Sequence, residues 1–277
     1  MRPFIWWVSV CNRRPDRIAT SRPLALVTGA SSGIGFELAK LCASNGHDVL
    51  LAADTDLAPI VGVCEGLGAK VLSVQTDLSM RSGIESLLRT LGNREVDALF
   101  ANAGHGLGDA FLDQSWVNIQ HVIDTNITGT LYLLHAIAGK MRRVNRGRIL
   151  ITGSIAGFQP GSYQAVYNAT KAFIDSFSLA LRDELKETDV TVSCLMPGVT
   201  DTGFFARADM LDTKFATGNK MDPAEVARIG FDAMMDGEAD VVAGWKNKLQ
   251  VAMSGVTPGE QLAARHAKMA RPGSARG

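Results

Sequence analysis

The sequence predicts one α/β domain built on a doubly wound, mostly parallel sheet of about seven strands. Three observations carry this. From Leu24 onward short apolar runs alternate with longer segments of helical period, the pattern of parallel strands joined by helical crossovers. The runs are apolar throughout, as where both faces of a sheet are covered. No internal repeat or low-complexity linker divides the chain, and 277 residues suffice for one large core.

Taken in order, the apolar runs place strands at Leu24–Thr28, Asp48–Ala52, Lys70–Val74, Ala98–Ala101, Arg148–Thr152, Thr191–Met196 and Val241–Gly244. Helical period places helices near Ile34–Asn45, Leu57–Leu67, Arg81–Leu91, Trp116–Met141, Tyr163–Glu187 and Pro223–Asp236. The domain then covers 23–245. Its longest unassigned stretch, 199–220, reads as a lid or binding loop. In that stretch Phe204, Phe205, Met210 and Leu211 suit either an apolar lid or an ordinary packed loop. Residues 1–22 show no periodicity and read as a disordered extension. Trp6 and Trp7 followed by Arg13, Arg14 and Arg17 leave weak membrane-surface contact as the alternative. The apolar stretch there is too short and badly flanked for a secretory signal. Residues 246–277 read as a C-terminal extension, frayed from Ala270 on.

Composition narrows the partners. Acidic and basic residues balance at 28 each, so nothing points to nucleic acid. No apolar run reaches the roughly 18 residues of a membrane span. Cys11, Cys42, Cys64 and Cys194 are scattered, without C-x-x-C or zinc spacing. They read as free thiols, buried as small hydrophobes in a reducing cytoplasm. The five histidines have no metal-ligand spacing, and no metal site is expected.

Chemistry enters at Thr28-Gly29-Ala30-Ser31-Ser32-Gly33-Ile34-Gly35, between the first strand and first helix. Glycines allow a tight turn and close main-chain approach, and a helix N-terminus offers free N–H groups to a pyrophosphate. This is a Rossmann-type dinucleotide signal, though its spacing is G-x-x-x-G-x-G. Asp54, past the second strand, suits both ribose hydroxyls of NAD and repels a 2′-phosphate. No Arg or Lys stands at Ser32 or Thr55 to attract one, so NAD is favoured over NADP. Tyr167 and Lys171 lie four apart, on one helix face. A lysine there favours the phenolate and lowers a pKa normally near ~10, giving a general acid–base. His105 and Gly106, and Phe158, Gln159 and Tyr163, fit either the mouth of a site or ordinary loop positions.

These motifs together make the chain resemble the short-chain dehydrogenase/reductase family from about Leu24 to Gly244. The family's TGxxxGxG is matched by Gly29, Gly33 and Gly35. Its N-A-G turn is matched by Asn102-Ala103-Gly104, with Ala101 where asparagine is usual. The resemblance implies an oxidoreductase that moves hydride between a nicotinamide cofactor and an alcohol or ketone. It implies Tyr167 as proton donor and acceptor, Lys171 as its tuner and ribose ligand, and Ser154 as the group that positions the substrate oxygen. It implies Asn126 as the residue that shapes the helix and holds a relay water. Cofactor contacts are implied for Ser31, Ser32, Gly33, Ile34, Gly35, Asp77, Leu78, Asn102, Ala103, Gly104, Pro197, Gly198, Thr200 and Thr202. It further implies a homodimer or homotetramer pairing the helices Trp116–Met141 and Tyr163–Glu187, the latter offering Phe173, Phe177 and Leu181. A cofactor-binding sensor, or an epimerase or dehydratase on the same fold, are the other readings.

Overall fold

The computed structural model describes residues 22–276, so the expectations for 1–21, Cys11 included, lie outside the described residues. Seven parallel strands form one sheet: β1 (Leu24–Thr28), β2 (Asp48–Ala53), β3 (Val71–Gln75), β4 (Ala98–Ala101), β5 (Gly147–Thr152), β6 (Val190–Met196) and β7 (Asp240–Val242), in the order 3-2-1-4-5-6-7. The helices are α1 (Gly33–Ser44), α2 (Ala58–Gly66), α3 (Arg81–Leu91), α4 (Trp116–Ile123), α5 (Thr130–Val144) and α6 (Ala165–Glu184). Beyond them come α7 (Phe204–Arg207), α8 (Lys214–Thr217), α9 (Pro223–Asp236), α10 (Trp245–Ser254) and α11 (Gly259–Ala270). The expected doubly wound, Rossmann-type architecture is present.

The apolar strands explain the layering. Val27, Val49 and Phe100 face one way, into a core with Leu38 of α1, Ile60 of α2 and Phe231 of α9. Leu26, Leu50 and Leu99 face the other way, against Leu87 of α3, Ile137 of α5 and Ile174 of α6. The central strands β1, β2, β4 and β6 thus bury both faces, as their apolar runs require, while the edge strands β3 and β7 are covered only in part. The strand order reverses between β1 and β4, and the carboxyl ends of those strands open a crevice there, where ligands bind in such sheets.

Four boundaries differ from expectation. The stretch Trp116–Met141 is not one helix: α4 and α5 are joined by a π-helical turn, Asp124–Gly129. Helix α6 starts at Ala165, because Tyr163 sits at φ 64, where a helix cannot begin. Arg22, expected in the extension, hydrogen-bonds the carbonyls of Gly46, at 3.0 Å, and Gly68, and so belongs to the domain. Residues 246–277 were expected as an extension frayed from Ala270. They instead form most of α10, all of α11 and a short 3-10 turn, with Leu262, His266 and Ala270 buried. These three recur every four residues, so one face of α11 is inside. Cys42, Cys64 and Cys194 are buried free thiols.

Candidate active site

The crevice widens into a cleft of about 700 Å3. Its floor on one side is the turn after β1. Helix α1 starts there without a side-chain cap, leaving its first N–H groups directed outward. A β-carbon on Gly35 would lie 2.1 Å from the Gly29 carbonyl, and one on Gly33, at φ 57, would lie 2.7 Å from Thr202 Cγ2. Only glycine fits either place. The turn is braced from the neighbouring strands. Thr28 Oγ1 accepts the N–H groups of Asn102 and Ala103 at 3.0 Å each. Asn102 donates through Nδ2 to Thr28 O at 3.1 Å and accepts from Thr152 Oγ1 at 3.1 Å. The N-A-G turn therefore ties β1, β4 and β5 together at their carboxyl ends.

Gly29, Ser31, Ser32, Gly33, Ile34, Asp54, Asp77, Leu78, Asn102, Ala103, Gly104, Pro197, Gly198, Thr200 and Thr202 all line this cleft. Gly35 lies beneath the turn. Asp54 is exposed. Several polar groups are already engaged. Asp77 Oδ1 accepts from Ser79 N at 2.8 Å, and Thr200 Oγ1 donates to Gly198 O at 3.0 Å. An uncapped helix end, a turn that tolerates no β-carbon and a carboxylate one strand away fit a dinucleotide.

Ser154, Tyr167 and Lys171 line the other arm. Lys171 is buried and gives its Nζ proton to Thr152 O at 2.8 Å, 5.9 Å from the centre of the Tyr167 ring. Burial lowers its pKa. Ser154 Oγ accepts from Ala156 N at 3.1 Å. The expectation that Lys171 holds the phenol's pKa down is not met in this state. Burial pushes Tyr167 up to about 12, against a lowering hydrogen bond from Ser154. The Phe204 ring lies 5.1 Å from the tyrosine ring, and a β-carbon on Gly106 would strike Phe204 at 2.2 Å. Phe204 thus caps the tyrosine.

Asn126 does not line the cleft. It sits on the π-helical turn, 2 % exposed. Its Oδ1 accepts from His105 N at 2.7 Å, and its Nδ2 donates to His105 O at 2.9 Å and to Thr170 Oγ1 at 2.9 Å. Its amide grips the loop after β4 and is fully engaged.

The loop 199–220 supplies the lid. Phe205 and Met210 are buried with Ala208, Ala216 and Ala270 of α11, whereas Leu211 is exposed. His105, Gln159 and Gln164 line the cleft, as do residues that sequence reasoning missed: His121, Arg207, Trp245, Lys246, His266 and Met269. His121 meets His105 edge-on at 4.9 Å. Arg207 Nη1 donates to Ser32 Oγ at 3.4 Å across the cleft, a cation beside the glycine turn brought from 175 residues away. The four-residue period of α11 was the available signal for the tail; nothing local marks Arg207.

Comparison with known proteins agrees with this geometry. The family model described as short chain dehydrogenase matches residues 23–210. The chain is 37% identical over 179 residues to the NADP-dependent 3-hydroxy acid dehydrogenase YdfG of Salmonella typhi, covering 64% of this chain and 72% of that one. It superposes with a TM-score of 0.77 on a short chain dehydrogenase/reductase from Burkholderia phymatum solved with NAD, at 25% identity over 85% of this chain and 94% of that chain. A short-chain dehydrogenase from Sphingobium yanoikuyae solved with NADPH gives 0.76 at 27% identity, over 84% and 94%. Among the described residues no helix is long and apolar enough to cross a membrane. Fold, cleft and relatives converge: the chain belongs to the short-chain dehydrogenase family and is an oxidoreductase that uses a nicotinamide cofactor on alcohol or ketone substrates.

Proposed function

We propose that Tyr167 is the general acid–base of this enzyme, that Ser154 orients the substrate oxygen, and that Lys171 supplies the charge beside the phenol and holds the cofactor ribose. The observation that carries this is the convergence of the three side chains in one arm of a cleft whose other arm is the glycine turn. A nicotinamide cofactor held by the glycine turn and Lys171 would supply the hydride acceptor and, when oxidised, a positive charge. Phe204 must leave the tyrosine face for a substrate to reach it. Both changes act against the burial that holds the phenol protonated. The Tyr167 hydroxyl then exchanges its proton with the substrate oxygen while Ser154 keeps that oxygen in place. Gly33, Ile34 and Gly35 would present main-chain N–H groups to the pyrophosphate, and Asp77, Leu78 and Asn102-Ala103-Gly104 would border the nucleoside.

The preferred cofactor is NAD(H). Asp54 lines the cleft as an exposed carboxylate beyond β2, placed to accept ribose hydroxyls and to repel a 2′-phosphate. Arg207 faces Ser32, and its charge serves the phosphates common to both cofactors. The enzyme works as a homo-oligomer through α4 and α6, where Trp116, Val117 and Phe173 are exposed. Phe177 and Leu181 instead pack on the sheet. Sedimentation at micromolar concentration checks this, and a pure monomer counts against it.

A screen of alcohols with NAD and ketones with NADH, read by absorbance of the reduced cofactor, tests the function. Tyr167→Phe tests the mechanism. A variant that binds cofactor and turns over like wild type would overturn the assignment.

A further inference from the structure

Asp175 is a buried carboxylate behind the site that the chemistry above leaves without a task. It lies on α6, one turn beyond Lys171 and two beyond Tyr167, so the three share a helix face. It is 7% exposed. Oδ1 accepts the Ser154 N–H at 3.2 Å and lies 3.7 Å from the Cys194 thiol, while Oδ2 has no partner. Two glycines make room for it. A β-carbon on Gly153 would stand 1.8 Å from Oδ1, and one on Gly157 2.2 Å from Oδ2. A half-satisfied buried carboxylate destabilises the fold relative to an apolar side chain of the same size. Its neighbourhood shows what the charge does there. Burial drives the Lys171 ammonium towards its neutral form, and the Asp175 charge opposes that.

We propose that Asp175 is a positioning residue of the catalytic centre, fixing the Ser154 main chain and keeping Lys171 charged through its own negative charge. This rests on the reading of Tyr167, Ser154 and Lys171 given above. Facing Asp175 are Lys171 and Tyr167 from its own helix, Cys194 from β6 and the Ser154 main chain from the turn after β5. Burial pushes the Cys194 thiol up to about 12, so it stays neutral. Burial also pushes Asp175 up to about 6, against Lys171 and the Ser154 hydrogen bond. The Asp175 charge acts on Tyr167 by raising the phenol's pKa. Lys171 itself carries one sign only.

The test reads Lys171 directly. Full-length protein labelled with ε-13C lysine is titrated with pH, without substrate or cofactor, and the Lys171 signal is assigned by its loss in Lys171→Met. In Asp175→Asn the Lys171 midpoint is expected to fall by about one pH unit or more. The alkaline limb of the turnover profile is expected to move down with it. Asp175→Ser, a smaller side chain, gives the same direction and keeps the test if the Asn variant misfolds. A folded variant in which Lys171 titrates at the wild-type pH overturns the proposal. Failure of the Tyr167 assignment shows separately, in the turnover of Tyr167→Phe.

Discussion

The two arms of the cleft are built from different materials. The arm under the glycine turn is mostly main chain: an uncapped helix end, strand termini and a turn too tight for a β-carbon. The arm over Tyr167 is mostly side chain, with Phe204 from the lid and Trp245, Lys246, His266 and Met269 from the tail. Main-chain geometry is fixed by the sheet and tolerates little substitution. Side-chain walls vary freely as long as their packing closes. The difference teaches that one arm is set by the sheet and the other by side-chain packing.

The largest expected effect falls where the arms meet. Tyr167→Phe removes one hydroxyl, and turnover is expected to drop by about a hundredfold or more, while cofactor affinity measured by calorimetry stays near wild type. A parallel loss of cofactor affinity would mean that the two arms do not act separately. Next, Asp54→Arg replaces an exposed anion at the nucleoside end with a cation. The ratio of NADP(H) to NAD(H) affinity is expected to rise by roughly tenfold or more. An unchanged ratio would move the choice of cofactor elsewhere, with Arg207 the first candidate.

A deletion of residues 256–277 sharpens the contrast from the other side. It removes α11 and uncovers Phe205, Met210 and Ala216 of the lid. Turnover is expected to fall about tenfold through poorer positioning, with NAD(H) affinity changed little. An equal loss of cofactor binding would show that the tail supports both arms. The smallest effect is a pH dependence confined to the tail. Burial lowers the pKa of His266, against its hydrogen bond to Ser162 O at 2.8 Å. With the folded value depressed, the unfolded chain takes the proton first, so stability is lost as pH falls through the ordinary histidine range near ~6.5. Between pH 7.5 and 5.5 the melting temperature of His266→Gln is expected to fall less than that of wild type, and equal slopes would contradict this.

The same contrast decides what could be read from the sequence. The central strands were legible to within a residue or two because both their faces are buried, leaving a nearly unbroken apolar run. Gly33 and Gly35 were legible because no side chain fits there, and Tyr167 with Lys171 because four-residue spacing fixes a helix face. Arg207 was not legible, since its place depends on how a loop folds back over Ser32. The raised pKa of Tyr167 was not legible either, because it comes from burial in the folded cleft, whose walls include Phe204, 37 residues further along the chain. The tail was misread by treating an end as loose, although Leu262, His266 and Ala270 already traced a buried face.

The grip of Asn126 on His105 has a consequence for motion. One side-chain amide pairs with both main-chain groups of a loop residue, as a neighbouring strand would. The loop after β4 is thereby stitched to the α4–α5 helix pair, with Trp116 and Val117 exposed on its outer end. Loop and helices then share one opening event. Damping the helix pair from outside is expected to slow hydrogen exchange at the His105 amide, at the mouth of the cleft, with no ligand involved.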